Sequence, residues 1–120
     1  MNQLPHVLTD RGSKYAVSGG PVMCRADVDA FLKDLKKSKK FAKATHNTWA
    51  AVLSDGTPLK GDDGESGAGM VIVNVLTHEQ LTDHIVVVTR WYGGTKLGGD
   101  RFRRVKDCVQ AYIAEFGKVI

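Results

Sequence analysis

The sequence predicts an α/β (α+β) chain in which helices cover a small sheet of about four or five strands. Three observations carry that expectation. His84–Tyr92 contains IVVV, the composition of a strand buried on both faces. The segments Ala26–Ser38 and Phe102–Phe116 place apolar residues at helical spacing. Strand-like and helix-like stretches also alternate along the 120 residues, a length that suits one domain.

The elements follow in chain order. Pro5–Thr9 and Ser13–Ser18 flank Asp10-Arg11-Gly12, which reads as a three-residue β-hairpin connection with Gly last. Gly19-Gly20-Pro21 is expected to break the second strand. From Ala26 to Ser38, Val28, Phe31, Leu32 and Leu35 fall at i, i+3, i+4 and i+7. Asp27 and Asp29 occupy the first turn and lysines crowd the last, as the helix dipole favours. Ala44–Leu53 reads as a strand stopped by Asp55-Gly56-Thr57-Pro58, and Ser54–Gly69 as a long polar loop. Met70–Leu76 is apolar on every side, so periodicity leaves strand and helix both open there. Phe102, Val105, Val109, Tyr112, Ile113 and Phe116 trace one face of a last helix that stops at Gly117.

Composition narrows the function classes. No apolar run approaches a membrane span, and MNQLPHVLTD lacks a signal peptide's apolar centre, so a cytoplasmic location is expected. Cys24 and Cys108 show no metal or redox spacing and read as reduced, structural thiols. The net charge is +4 and unevenly spread: six lysines lie between Lys33 and Lys43, and six Lys/Arg between Arg90 and Lys106, with only Asp100 opposing the latter. Such surface suits phosphate or an acidic partner.

The tract Thr89–Arg104, TRWYGGTKLGGDRFRR, leaves an apolar strand, crosses two Gly pairs and enters an arginine-rich helix. Gly93, Gly94, Gly98 and Gly99 permit close backbone approaches, although ordinary turn glycines would look the same. Arg90, Lys96 and Arg101 supply positive charge, and Trp91 or Tyr92 a surface on which a base could stack. Backbone N–H groups near Gly98–Asp100, at a helix start, would favour an anion. A second tract, DDGESGAG at Asp62–Gly69, places Asp62, Asp63 and Glu65 around Gly64. These carboxylates could hold a divalent cation, but they lack the spacing of a calcium loop; capping of the next helix by Asp63 or Glu65 is the structural alternative. His46 and Asn47 interrupt an otherwise apolar strand, and His46 is placed to face the acidic loop. Strand ends and helix starts meet at one edge of an α/β sheet, so these tracts should converge on one surface.

KATHNTWA, DDGESGAG and TRWYGGTKLGGDRF, in that order, together with SKY at Ser13–Tyr15, resemble the Impact family, whose bacterial members include YigZ-type proteins. The likeness runs from Ser13 to about Tyr112. It implies the fold of the second domain of a small-subunit ribosomal protein, with helices on one face of the sheet, and makes Met70–Leu76 a helix. It further implies a non-enzymatic module in translation or its regulation, binding RNA or a ribosome-associated protein, with a link to stress response in eukaryotic members. Neither cofactor nor resident metal is expected. One Impact-type domain over residues 1–120 is expected, without the flanking domain of eukaryotic or of bacterial members. The alternative is a small enzyme acting on a phosphorylated ligand through His46, Asp63 and Glu65.

Overall fold

The computed structural model describes residues 1–120. Strands β1 (Asn2–Asp10) and β2 (Ser13–Pro21) precede helix α1 (Arg25–Leu35) and the single turn α2 (Lys39–Ala42). Strands β3 (His46–Val52) and β4 (Pro58–Gly61) lead to helix α3 (Ala68–His78), strand β5 (His84–Trp91) and helix α4 (Asp100–Phe116), which ends in a short 3-10 turn. All five strands form one antiparallel sheet in the order β1-β2-β5-β3-β4.

The last strand in sequence is therefore the central one. Its run of Ile85, Val86, Val87 and Val88 is buried throughout, because alternate side chains feed two cores. Val86 and Val88 join Tyr15, Val17, Ala50 and Val52 beneath α3 and α4. Ile85 and Val87 join Ala16, Trp49 and Ala51 beneath Val28 and Leu35 of α1 and Phe41 of α2. The family likeness implies helices on one face. The two longer-buried helices do share a face, and α1 with α2 adds a smaller layer on the other. The lysines of residues 33–43 thus lie on this second layer, whose last turn also carries them towards the start of β3.

Several local expectations need correction. The hairpin connection is two residues long, since Asp10 pairs with Ser13; Arg11 (φ 47°) and Gly12 (φ 85°) both take the left-handed conformation of a turn that matches strand twist. Gly19 and Gly20 do not end β2, which runs on to Pro21 paired with His84. Gly19 is there because Tyr112 of α4 lies against its Cα, where a side chain would strike both the ring and the Ile85 carbonyl. That Tyr112 hydroxyl hydrogen-bonds His84 Nε2 at 2.6 Å and fixes the far end of α4 to the sheet. Helix α1 stops at Leu35, earlier than expected, and α2 is separate. Asp27 Oδ2 accepts the Met23 N–H at 2.8 Å and so satisfies a donor at the start of α1. The polar stretch after β3 contains β4, a four-residue edge strand opposite Trp49–Val52. Met70–Leu76 is helical, and its apolar circumference is explained by burial of Ala68, Ile72, Val73, Val75 and Leu76 between sheet and α4.

Candidate functional site

The end of the sheet where β2 and β3 begin and β5 finishes collects most of the residues singled out from the sequence. Register brings them there: His46 pairs with Arg90 and Tyr15 also pairs with Arg90, from the other side. Arg90 is 5% exposed and Glu65 4%. Their side chains meet at 2.8 Å, Arg90 Nη1 donating to Glu65 Oε1. Arg90 Nε also donates to Ser13 Oγ at 3.3 Å, and the guanidinium lies between the rings of Tyr15 and Tyr92, 5.8 Å from each centroid. A second arginine, Arg101 at the start of α4, approaches the same Glu65 oxygen at 3.4 Å. His46 completes the group. Its Nδ1–H donates to the Asp63 carbonyl at 2.8 Å, leaving Nε2 3.5 Å from Glu65 Oε2.

Above this buried pair opens a cleft of about 250 Å³ lined by His46, Arg90, Tyr92, Lys96, Leu97, Gly98 and Arg101. Three permanent cations against one carboxylate leave two positive charges in excess. Tyr92 stands 47% exposed at its rim, with its backbone N–H held by Thr45 Oγ1 at 2.9 Å. Gly93 lets the chain leave β5 in contact with the hairpin turn: a side chain there would run into the Gly12 and Ser13 backbone. The Gly93 N–H donates to the same Ser13 Oγ that receives Arg90. Gly94 (φ 95°) and Gly98 (φ 56°) then carry the loop around the cleft in left-handed conformations.

The acidic tract is divided among three tasks and does not form a metal cage. Asp62 accepts the N–H groups of Gly67 at 2.9 Å and Gly69 at 2.8 Å, so it caps α3 from outside the helix. Asp63 (φ 50°) accepts the Asn47 N–H at 2.7 Å and anchors the start of β3. Glu65 alone turns inward. Capping therefore falls to Asp62, and not to Asp63 or Glu65. No three His, Cys, Asp or Glu side chains stand close enough to share a metal ion. The Gly67 and Gly69 N–H groups hold the Asp62 carboxyl below its ordinary range. Because the folded value is the lower one, Asp62 contributes stability above the ordinary carboxylate range, and the contribution is lost as pH falls through it. Asp62→Ala should cost about 0.5–2 kcal/mol, as lost caps do, with a melting midpoint indifferent to magnesium. A magnesium-dependent rise would return the tract to metal binding.

Two sequence candidates lie elsewhere. Asn47 is buried, donating to the Phe41 carbonyl at 3.0 Å and accepting from Thr89 Oγ1 at 2.7 Å, so it ties α2 to the sheet on the face opposite His46. Trp91 also points to that opposite face, where its Nε1–H donates to the Lys40 carbonyl at 3.0 Å. The start of α4 offers no free anion nest either. Its Asp100, Arg101 and Phe102 N–H groups are taken by the Leu97, Gly98 and Gly99 carbonyls. Arg103 pairs with Asp100, and Arg104 with Asp10 and Asp107, outside the cleft. Arg11 and Arg104 hold the Asp10 carboxyl down at about 2. Ser13, Tyr15, Thr45 and Leu97 belong to the site but were not singled out from the sequence. The SKY tripeptide was the available signal for the first two.

Fold and cleft together define an α/β domain with a basic pocket built on a buried Arg–Glu pair. The family model described as the Impact N-terminal domain matches residues 11–113, and the chain belongs to the Impact family. It is 37% identical over 113 residues to Protein IMPACT of Bos taurus, covering 90% of this chain and 36% of that protein. With the Protein IMPACT homolog of Caenorhabditis elegans it shares 34% identity over 116 residues, covering 91% and 45%. The chain thus spans less than half the length of these curated relatives. Among solved structures, one described as a hypothetical protein superposes with a TM-score of 0.82 at 20% identity, covering 94% of this chain and 56% of the other; the likeness is one of fold. The two-domain translational regulator Yih1 superposes with a TM-score of 0.58 at 30% identity, covering 92% and 45%.

Proposed function

We propose that this protein, as one Impact-type unit over residues 1–120, acts in the regulation of translation by binding RNA through the cleft between β5 and α4. The observation that carries the reading is the pairing of excess positive charge with an exposed aromatic ring over a rigid base. Glu65 holds Arg90 in place, Lys96 and the partly exposed Arg101 line the cleft where they can meet phosphate, and Tyr92 offers a face to an unpaired base. The relationship to Yih1, a translational regulator, supports the biological setting.

Titration of single-stranded RNA against the protein across a range of salt concentrations tests it. Log affinity should fall linearly with log salt, and Arg101→Ala and Lys96→Ala should each flatten the slope by about 0.7. Tyr92→Ala should weaken binding by about 1–3 kcal/mol, the value of one stacked base. Arg103→Ala, which alters a pair outside the cleft, should change little. An unchanged slope in the two cleft variants would move the contact elsewhere, and absence of binding at low salt would favour a ribosome-associated protein as the partner.

A further inference from the structure

The same strand end carries a second aromatic platform on its reverse side. Side chains alternate along β5, so Arg90 and Tyr92 share the cleft while Trp91 leaves the other face. There it lines a hollow of about 500 Å³ with Pro5, His6, Lys14 and Lys40, and no acidic residue. The indole is held in position, pinned by its hydrogen bond to the Lys40 carbonyl and by the edge of Phe41 at 5.3 Å. The Lys40 ammonium rests over the ring, 5.1 Å from its centroid, at the end of a flexible side chain that can move aside. Lys14 is the register partner of Trp91 on β2, which places its charge beside the ring at the same sheet end.

Tyr92 and Trp91 are thus consecutive residues presenting aromatic faces to opposite sides of one sheet edge, each among cations. A ligand the size of a mononucleotide fills one hollow only. A polymer that repeats base and phosphate can reach both, provided it bends sharply, which a stiff duplex does not do over so short a distance. We propose that single-stranded nucleic acid passes over the end of β5, with one base against Tyr92 in the cleft and another against Trp91 on the reverse face. Phosphates between them meet Lys96 and Arg101 on one side and Lys14 and Lys40 on the other. This rests on the reading of the cleft given above and extends it to the class of nucleic acid and to its path.

Uridine monophosphate, a 12-nucleotide oligouridylate and a 12-base-pair RNA duplex, titrated against the intact protein, distinguish the two claims. Lys14→Ala combined with Lys40→Ala should flatten the salt slope for the 12-mer by about 1.4, two contacts at about 0.7 each. Trp91→Ala should weaken the 12-mer roughly 5- to 150-fold, the range for one lost stacked base, and Trp91→Phe should restore most of it. The duplex should bind more weakly than the 12-mer. Should Trp91→Ala unfold the chain, the double lysine variant decides, because both side chains are exposed. A 12-mer that responds to Arg101→Ala but to none of the Trp91, Lys14 and Lys40 variants overturns the second surface and leaves the cleft standing. If neither RNA binds at low salt, both readings fall.

Discussion

Glu65→Ala is expected to lower the folding free energy by about 3–5 kcal/mol, because it leaves the Arg90 guanidinium buried without its counter-charge. For a chain of this size that corresponds to a fall in melting midpoint of roughly 10–20 °C. The two sides of the pair are 4% and 7% exposed at their side chains, so water cannot take over the lost contact. Arg101 touches the same carboxylate from a side chain that is 31% exposed, and Arg101→Ala should cost little stability while weakening ligand binding. The pairwise energy is isolated by a double-mutant cycle through Glu65→Leu and Arg90→Met, in which the double variant should be more stable than either single one. A Glu65→Ala midpoint within a few degrees of the parent would show that the pair does not hold the cleft floor.

Gly93→Ala should be the other severe substitution. Its methyl group would meet the Gly12 and Ser13 backbone, which has no side-chain freedom with which to yield. Overpacking of this kind costs about 1–3 kcal/mol or more. The hairpin turn and the cleft loop must separate, which also disturbs Ser13 Oγ, the shared acceptor of Arg90 and Gly93. Loss of stability should therefore come with weakened binding. Gly99→Ala, with open space around the position and a helical φ of −66°, should be neutral or stabilising by about 0.4–1 kcal/mol. Equal melting midpoints for the two variants would refute the contact argument.

The parts of this fold that were legible in the sequence are those whose signal is local. Helix α4 has one apolar face and β5 an unbroken apolar run, and both appear close to their expected limits. Helix α3 was ambiguous because it is buried around most of its circumference, so no periodic contrast survives. Strand β4 was missed because four residues beginning with Pro58 give no alternation to read, although Pro and Lys suit a sheet edge. Gly19 and Gly20 read locally as punctuation, but what stands against them lies further along the chain, Tyr112 at Gly19 and Phe31 at Gly20.

Convergence of His46, the acidic loop and the Arg90–Gly94 tract was expected from topology; His46, Asp63 and Glu65 do meet Arg90 and Tyr92 at one end of the sheet, while Trp91 turns to the other face. Asn47 and Trp91 depart from that surface for one reason. Adjacent residues of a strand face opposite ways, so His46-Asn47 and Trp91-Tyr92, each treated as a pair, had to be split between the faces. Which carboxylate did what was beyond local reading, because Asp62, Asp63 and Glu65 find partners five to thirty-six residues away.

The central place of β5 bears on how the chain is made. Strands β1 and β2 form one hairpin and β3 and β4 another, yet the sheet joins the two only through β5. At a synthesis rate of about 5–20 residues per second, the stretch from Pro21 to His84 takes roughly 3–13 s to emerge. Throughout that interval the inner edge of β2 has no strand to pair with; once β4 ends at Gly61 the inner edge of β3 is in the same position, and the apolar side chains of both hairpins lack their cover. The nascent chain accordingly waits as two sticky half-sheets until its last strand arrives to join them, and the interval before residue 91 is when a chaperone has most to shield.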